Sequence, residues 1–415
     1  MITRIEALSY RCLRYVSQPL DRFHVLIGPN ASGKTTFLDV VAFLGRLVSG
    51  GLDEAISERT QNFQDLVWSR SGDSFELAIE LEIPEHLRSS LYYPELDAVR
   101  YEVAVDHDVE SNTVAFRAET VLLKPTRRGD SSQPSLFPNA KPSPGTILQG
   151  PQSPGTRMVV TKEISGHDHF YAEAGDDWVG AFKLGPRRCA LANLPEDETK
   201  FPVATWLKGL LSKEVQQLIL NSLMIRNASP PGKGLTLLPD GSNLPWVVWD
   251  LEKRSPERFH DWVAHLQTAL PDLEGIRVVE RKDDRHRYLM LRYRGGLEIP
   301  SWMASDGTLR LLTLTLLAYL EGFRGIYLIE EPENGIHPRA VESMLQSLSS
   351  VYDAQVLLAS HSPVVLSIVD PDQILCLAKD DAGATDIVSG SDHPALRDWR
   401  REPNLSVLFA AGVLG

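Results

Sequence analysis

The sequence predicts an α/β protein with a mostly parallel sheet, an antiparallel β subdomain and a helical insertion. Strand-like and helix-like segments alternate through the last third of the chain, which is typical of a parallel sheet covered by helices. Earlier, residues 75–83 and 100–123 show the short apolar runs of further strands. Residues 201–270 instead carry apolar side chains at helical spacing, for example Trp206, Leu210, Leu211, Val215 and Leu218.

These segments divide the chain into three predicted regions. Residues 1–200 form a first lobe that includes the β subdomain, 201–275 form the helical insertion, and 276–415 form a second lobe. Within the first lobe, residues 124–157 contain seven prolines together with scattered glycine and serine. Because this composition interrupts the strand pattern, we predict an exposed, mobile loop there.

The individual elements follow from apolar periodicity and from breaks at polar, glycine and proline clusters. Strands are predicted at 2–10, 23–27, 276–280, 288–293, 326–330, 355–359 and 373–378. Helices are predicted at 36–44, 306–322, 338–350 and 363–368.

Charge and composition exclude several classes of protein. The net charge is −13, with 55 acidic against 42 basic residues, which opposes a broad nucleic-acid-binding surface. No apolar run reaches the ~18–20 residues that a membrane-spanning helix needs. The first residues alternate like a strand and do not resemble a signal peptide. The three cysteines lack metal-ligand spacing and fit a reducing compartment, so we expect a cytoplasmic protein.

Residues 28–36 match the phosphate-binding loop pattern G-x-x-x-x-G-K-[ST] in full, between a predicted strand and a predicted helix. In this setting main-chain N–H groups and the helix N-terminus hold phosphate oxygens. Lys34 is expected to reach the β- and γ-phosphates, and the Thr35 hydroxyl to bind Mg²⁺. The sequence therefore predicts that a nucleoside triphosphate is bound by Asn30, Ala31, Ser32, Gly33, Lys34, Thr35 and Thr36.

Two adjacent carboxylates, Glu330 and Glu331, come at the end of an apolar strand. Ligands bind at that edge of open α/β sheets. We assign Glu330 to the Mg²⁺ ion or its water, and Glu331 to polarising the water that attacks the γ-phosphate.

Two further motifs accompany the carboxylates. His361 follows another apolar strand, where a histidine is able to contact a γ-phosphate and sense its presence. Ser305 precedes an apolar helix as a natural N-cap, and Gly307 in its first turn allows close backbone approach.

The order of these motifs resembles the P-loop ABC-type ATPase head of the RecF, SMC and OLD branch, whose members are often labelled AAA family ATPases. Residues 10–13 resemble an early segment of that branch whose arginine, here Arg11, approaches the nucleotide phosphates. Residues 331–338 resemble its Glu-Pro-Glu-x-x-x-His-Pro run, and His361 matches its switch histidine. The resemblance covers both ends of the chain and is loose in the middle third.

The resemblance implies an enzyme that hydrolyses ATP to ADP and phosphate with Mg²⁺. In this family the signature serine and glycine of one subunit cover the γ-phosphate bound to the other, so Ser305 and Gly307 imply a head-to-tail homodimer formed on ATP. The chain departs from the pattern at Glu330, where aspartate is usual, and in its Ser-Asp-Gly signature. For the glutamine that completes the metal site, Gln64 is our candidate and Gln61 stays an alternative.

Three function classes compete. The first is an OLD-like ATPase subunit that acts as sensor and motor of a prokaryotic anti-phage defence complex with a separate effector. The second is a RecF-like clamp for DNA repair, and the third is a transporter motor. The long interval between phosphate loop and signature opposes a transporter, and the absence of long heptads opposes an SMC rod. The acidic balance opposes a DNA clamp, because we interpret the basic stretch 281–294 as the solvated face of a β-hairpin.

Overall fold

A computed structural model of the chain describes residues 1–126, 143–149, 155–163, 167–175 and 178–393. Much of the predicted loop at 124–157 and the end of the predicted second lobe therefore lie outside the described residues. Among the described residues, every helix is too short or too polar to cross a lipid bilayer.

The strands follow one another along the chain with these bounds: β1 (Ile2–Tyr10), β2 (Leu13–Pro19), β3 (Phe23–Ile27), β4 (Ser74–Glu82), β5 (Ala98–Asp108), β6 (Thr113–Lys124), β7 (Arg157–Lys162), β8 (Asp168–Tyr171), β9 (Trp178–Phe182), β10 (Val215–Leu218), β11 (Leu273–Glu280), β12 (Arg287–Tyr293), β13 (Leu297–Pro300), β14 (Ile326–Glu330), β15 (Gln355–Ser360), β16 (Ile374–Lys379) and β17 (Thr385–Ser389). The strands predicted at 2–10, 23–27 and 326–330 are confirmed to the residue.

The helices have these bounds: α1 (Lys34–Gly50), α2 (Leu52–Ser57), α3 (Glu85–Arg88), α4 (Pro202–Lys213), α5 (Ser222–Arg226), α6 (Leu244–Arg254), α7 (Pro256–Ala269), α8 (Asp306–Leu316), α9 (Pro338–Ser349) and α10 (Pro363–Leu366). The helix predicted at 306–322 is shorter than expected, because its last turn tightens into a 3₁₀ turn at Leu317–Tyr319.

The described chain divides into two compact units that interleave along the sequence. The first unit consists of Met1–Asp21, Asn30–Val215 and Leu377–Ile387. The second consists of Arg22–Pro29, Gln216–Cys376 and the described residues from Val388 on. The division into regions at residues 200 and 275 stays a prediction.

The first unit contains an eight-stranded sheet of described residues, in the order β2-β1-β4-β5-β6-β7-β8-β9. Each of its pairings is antiparallel, which confirms the predicted antiparallel subdomain. Helix α1 packs against α4, and the two helices approach closely at Gly45, where an added Cβ would lie 3.0 Å from the main-chain oxygen of Leu211.

A buried ionic cluster surrounds Arg100 on this sheet. The guanidinium of Arg100 is 1% exposed and contacts Glu102 at 2.7 Å and Glu80 at 3.0 Å. It also donates to the main-chain oxygen of Ile147 at 2.8 Å, and the Ile147 N–H donates to Glu76 at 2.7 Å. The predicted exposed loop at 124–157 is therefore wrong around Ile147, which is 8% exposed, because buried charges require partners and this segment supplies them.

The second unit contains most of a six-stranded sheet of described residues, in the order β10-β14-β15-β3-β16-β17. The pairings of β14 with β15, of β15 with β3 and of β3 with β16 are parallel, which confirms the predicted mostly parallel sheet. Helix α8 packs against α7 and α9. Strands buried on both faces are rich in apolar residues, and all five residues of β3 are buried, with His24 as its one polar residue.

One part of the predicted helical insertion is wrong. Val215 and Leu218 lie in the short strand β10, which pairs beside β14, and not on a helix. Helix α4 ends at Lys213, and Glu214 has non-helical dihedral angles. An apolar pair three residues apart favours one face of a helix. Pairing of this segment with β14 at the edge of the sheet overrode that local preference.

The basic stretch around residues 281–294 lies on the predicted hairpin, which β11 and β12 form by antiparallel pairing. Its arginines contact acidic neighbours: Arg281 with Asp284, Arg285 and Arg287 with Glu280, Arg292 with Glu274, and Arg294 with Asp272. The Arg287 guanidinium also lies 3.9 Å and 3.8 Å from the ring centroids of Trp246 and Trp249. The positive charge of this stretch is therefore largely balanced locally.

Candidate functional site

Three neighbouring parallel strands of the second unit, β14, β15 and β3, end at one edge of their sheet. The last residue of β15, Ser360, pairs with the last residue of β3, Ile27, and the last residue of β14 pairs one position earlier. The residue that follows β14 is the catalytic candidate Glu331, and the residue that follows β15 is the catalytic candidate His361. The residue that follows β3 is Gly28, the first glycine of the phosphate loop. The sheet therefore brings the starts of three motifs side by side.

The backbone turns sharply after the half-buried Glu330 at the end of β14. Glu331 has a φ of +46°, which is uncommon for a residue other than glycine and carries strain. Its N–H still donates to the main-chain oxygen of Ala359 on β15 at 2.8 Å. The turn thus remains attached to the neighbouring strand while it changes direction.

His361 and Glu331 contact each other through their side chains. The Nδ1 atom of His361 lies 3.2 Å from Oε1 of Glu331, and both side chains are about half-exposed, at 44% and 42%. The side-chain amide of Asn334 donates to the other carboxylate oxygen of Glu331. Both oxygens of the predicted catalytic carboxylate therefore have a polar side chain beside them, which orients the group.

A further carboxyl, Glu333, lies in the same turn. Its Oε1 accepts from the hydroxyl of Ser360 at 2.6 Å. Burial raises the pKa of Glu333 above its ordinary value, whereas the hydrogen bond from Ser360 and the nearby His361 act in the opposite direction. The site therefore contains a third carboxyl group that the sequence analysis left without a role.

The Ser-Asp-Gly segment begins helix α8 as predicted. The Ser305 hydroxyl accepts from the N–H of Thr308 at 3.1 Å, which confirms Ser305 as the N-cap. Ser305 and Asp306 are exposed, and the Asp306 carboxylate contacts Arg226 at 2.5 Å.

Gly307 is required by packing within the second unit. An added Cβ at Gly307 would lie 2.0 Å from the main-chain oxygen of Gly335, in the turn that follows the carboxylates. The close backbone approach predicted for Gly307 is therefore present, and its partner is the chain's own backbone. The start of α8 and the carboxylate turn are in direct contact.

In the first unit, the phosphate-loop residues lead directly into helix α1. Gly33 has a φ of +104°, and an added Cβ would lie 2.3 Å from Oγ1 of Thr385, so a larger residue does not fit. The same Thr385 hydroxyl donates to the main-chain oxygen of Ser32 at 2.9 Å. Lys34 and Thr35 form the first turn of α1, where the helix dipole favours anions.

The other loop residues have varied surroundings. Asn30 and Ala31 are exposed, and Ala31 has a left-handed φ of +64°. The hydroxyl of Thr36 lies 3.4 Å from the thiol of Cys12. The exposed start and supported end of the loop fit a segment that wraps around phosphates.

Arg11, the predicted phosphate-contacting arginine, is held by Asp39 of helix α1. Its guanidinium lies 3.2 Å from the Asp39 carboxylate. The same carboxylate accepts from the hydroxyl of Tyr10 at 2.6 Å and contacts Arg59 at 2.6 Å. Asp39 therefore places two arginines beside the helix that carries Lys34.

Gln64 lies in a 3₁₀ turn, Phe63–Leu66, of the first unit. Its Oε1 is buried and has no hydrogen-bond partner among the described residues, whereas Gln61 is exposed. An amide oxygen and a threonine hydroxyl are oxygen donors of the kind that Mg²⁺ accepts, so Gln64 and Thr35 of the first unit have suitable chemistry for this ion. The metal role of these residues and of Glu330 stays a prediction.

The two units divide the predicted site residues between them. The first contains Arg11, Asn30, Ala31, Ser32, Gly33, Lys34, Thr35, Thr36 and Gln64, and the second contains Ser305, Gly307, Glu330, Glu331 and His361.

Sequence reasoning missed the roles of Asp39, Arg59, Glu333, Asn334 and Ser360. Asp39 had a signal, since it lies one helical turn after Thr35. Arg59, Glu333 and Ser360 had none, because their partners lie 20 or more residues away, whereas Asn334 contacts Glu331 only three residues earlier.

A family model described as "AAA domain, putative AbiEii toxin, Type IV TA system" matches residues 23–148 and 183–367. The chain belongs to this family. It is thus a P-loop ATPase of the AAA class, a class that binds nucleotide and usually Mg²⁺.

The chain is also similar to a phage protein over a short segment and to two solved structures in fold. Protein ea59 of Escherichia phage lambda is 37% identical over 67 residues, which cover 15% of this chain and 13% of that protein. An SMC head bound to the C-terminal winged-helix domain of ScpA has a TM-score of 0.52 at 12% identity, covering 93% of this chain and 97% of that one. An SMC head from Pyrococcus furiosus, bound to the C-terminal domain of ScpA, gives the same score and identity, covering 97% and 99%. The two structural similarities show the SMC-head fold and confirm the predicted fold class.

The contact between Gly307 and Gly335 predicts that Gly307→Ala destabilises the protein. Its Cβ would overlap a main-chain oxygen, so we expect a loss of about 1–3 kcal/mol in the free energy of unfolding. Gly209→Ala is the matched control, because Gly209 lies within helix α4 and an added Cβ there contacts nothing within 4 Å. We expect it to gain about 0.5–1 kcal/mol. Denaturant unfolding of both variants checks this, and equal stabilities would contradict it.

Proposed function

We propose that this chain binds and hydrolyses ATP with Mg²⁺, dimerises head-to-tail on ATP, and is the sensor and motor subunit of a prokaryotic anti-phage defence complex with a separate effector. The observation that carries the ATPase part is the shared edge of β14, β15 and β3, from which the carboxylates, the histidine and the phosphate loop all start. Family membership supports it.

Each group has a proposed role that its surroundings support. Lys34 and the α1 N-terminus bind phosphates, and Arg11 adds positive charge from its place on Asp39. Glu331 accepts the proton of the attacking water. His361, whose Nδ1 lies 3.2 Å from the Glu331 carboxylate, orients that carboxylate and contacts the γ-phosphate. Thr35, Glu330 and Gln64 hold Mg²⁺, which supplies positive charge to the phosphates when bound.

The surroundings of the signature segment support ATP-dependent dimerisation. Ser305 lies at the exposed N-terminus of α8, so a phosphate of another subunit is able to approach it. Large apolar side chains near it in sequence are exposed: Trp302 by 43% and Met303 by 66%. Adjacent exposed apolar side chains of this size are compatible with an association surface at this position.

Glu331→Gln is expected to bind ATP, to stall hydrolysis and to accumulate dimer. The amide keeps the shape of the side chain but does not accept the proton of the attacking water, so kcat falls by about 10²–10⁴-fold. Lys34→Ala is the companion variant, and we expect it to abolish ATP binding. Turnover assays and sizing with ATP measure both. Wild-type turnover in Glu331→Gln would exclude Glu331 as the catalytic base.

Ser305→Arg is expected to block dimerisation without removing nucleotide binding by the monomer. The bulky cation fills the exposed helix N-terminus that would meet the other subunit's γ-phosphate. The measurement is sizing of the Glu331→Gln protein with and without Ser305→Arg, alongside nucleotide affinity. An undiminished ATP-driven dimer would contradict the proposed signature contact.

Defence is favoured over DNA repair by two observations. The family description refers to a putative AbiEii toxin of a Type IV toxin–antitoxin system and not to a repair protein. The basic hairpin is locally neutralised by acidic neighbours, so DNA phosphates would have to compete with these ion pairs. A RecF-like DNA clamp is the alternative.

Tagged Glu331→Gln protein, trapped with ATP and purified from its own cells, tests these alternatives. Half of the sample is treated with nuclease before mass spectrometry and sizing. We expect a stoichiometric protein partner that survives the nuclease. Recovery of DNA, with the partners lost on nuclease treatment, would instead support the DNA clamp.

A further inference from the structure

Glu333 is an acidic side chain whose surroundings are unlike those of a surface carboxylate. One oxygen, Oε1, accepts the 2.6 Å hydrogen bond from Ser360. The other, Oε2, is buried and has no hydrogen-bond partner among the described residues. A carboxyl group loses solvation when it is buried, so its retention there needs a compensating contact. The contact that the structure provides is with Ser360.

Ser360 connects Glu333 to the loop that carries the histidine. It is the last residue of β15 and is fully buried. Its hydroxyl donates to Glu333 and accepts from the N–H of Ser362 at 3.0 Å. The residue before His361 is therefore bonded to the main chain of the residue after it, and the same hydroxyl is anchored by Glu333. These two hydrogen bonds fix the main chain at Ser360 and Ser362, on either side of His361.

The same turn holds the side chain of His361. Glu331 and Glu333 are separated by one residue, and both reach towards the end of β15. Glu331 contacts the ring of His361, whereas Glu333 fixes the backbone beneath it through Ser360. The charged groups that interact with Glu333 are Glu331, His361 and Arg310. One turn of chain thus sets both the position and the partner of the histidine.

We infer that Glu333 is a positioning residue for ATP hydrolysis, which acts through Ser360 to hold His361 against Glu331. The inference rests on the proposed ATPase function. Glu333 does not touch the reacting atoms in this role. Its effect is geometric, because the orientation of a base partner determines how often the reactive arrangement is populated.

The test is the kcat of ATP hydrolysis in the full chain with Glu333→Ala. We expect kcat to fall by about 10- to 100-fold, with the affinity for a fluorescent ATP analogue unchanged. In a His361→Ala background, the same substitution should cause no further fall, because the residue through which it acts is gone. A role in folding alone would not produce this dependence on His361.

Two variants separate positioning from loss of structure. Ser360→Ala removes only the hydroxyl, should lower kcat like Glu333→Ala, and should add nothing in the double variant. Glu333→Gln keeps an oxygen that accepts from Ser360 and should retain most of the activity. Glu342→Ala is the matched control, since Glu342 is an exposed glutamate of α9 whose carboxylate accepts from the side-chain amide of Gln346 on the same helix.

The outcomes separate this inference from the proposed function. If wild-type protein hydrolyses ATP and Glu333→Ala and Ser360→Ala both match it, the inference is wrong and the ATPase function stands. If the loss caused by Glu333→Ala persists in full in the His361→Ala background, the inference is also wrong. If Glu333→Ala does not fold, the kcat of Ser360→Ala, measured alone and in the His361→Ala background, tests the inference by the same two criteria. A wild-type protein without ATPase activity would contradict the proposed function itself.

Discussion

The site depends on the register in which β14, β15 and β3 pair. A parallel sheet places the carboxyl ends of its strands at one edge, and here the ends agree to within one residue. A slip of one residue would turn each side chain to the opposite face of the sheet. The strands are buried almost throughout, so packing of their apolar residues holds this register. The polar motifs can therefore follow the strands without contributing to their stability.

The turn after β14 concentrates the polar contacts of the second unit. Its left-handed Glu331 costs on the order of 1–3 kcal/mol as a strained residue. The cost is offset because the turn is held at several points: by Ala359 on β15, by Ser360 through Glu333, and by the close approach of Gly335 to Gly307. The start of α8, the carboxylates and the histidine are thus joined in one contiguous set of contacts.

The first unit supports its part of the site by different means. Asp39, on the helix that follows the phosphate loop, balances the charges of Arg11 and Arg59. The side chain of Thr385 occupies the space that a side chain at Gly33 would need. Farther along the antiparallel sheet, Arg100 and its acidic partners form a buried ionic cluster. Removing one partner from such a cluster costs more than the pair contributes, so these residues depend on one another.

The sequence by itself determined the fold class, the strands that carry the motifs and the residues of the phosphate loop, because these depend on local periodicity and on one contiguous pattern. It also indicated Ser305 as an N-cap, because the capping hydrogen bond joins Ser305 to Thr308, only three residues later. Only the tertiary structure decided that Val215–Leu218 is a strand, that Ile147 is buried, and that Glu333 contacts Ser360. These outcomes depend on partners far away in sequence, such as a free sheet edge, a buried arginine and the end of another strand. No local pattern specifies which distant residue will be the partner.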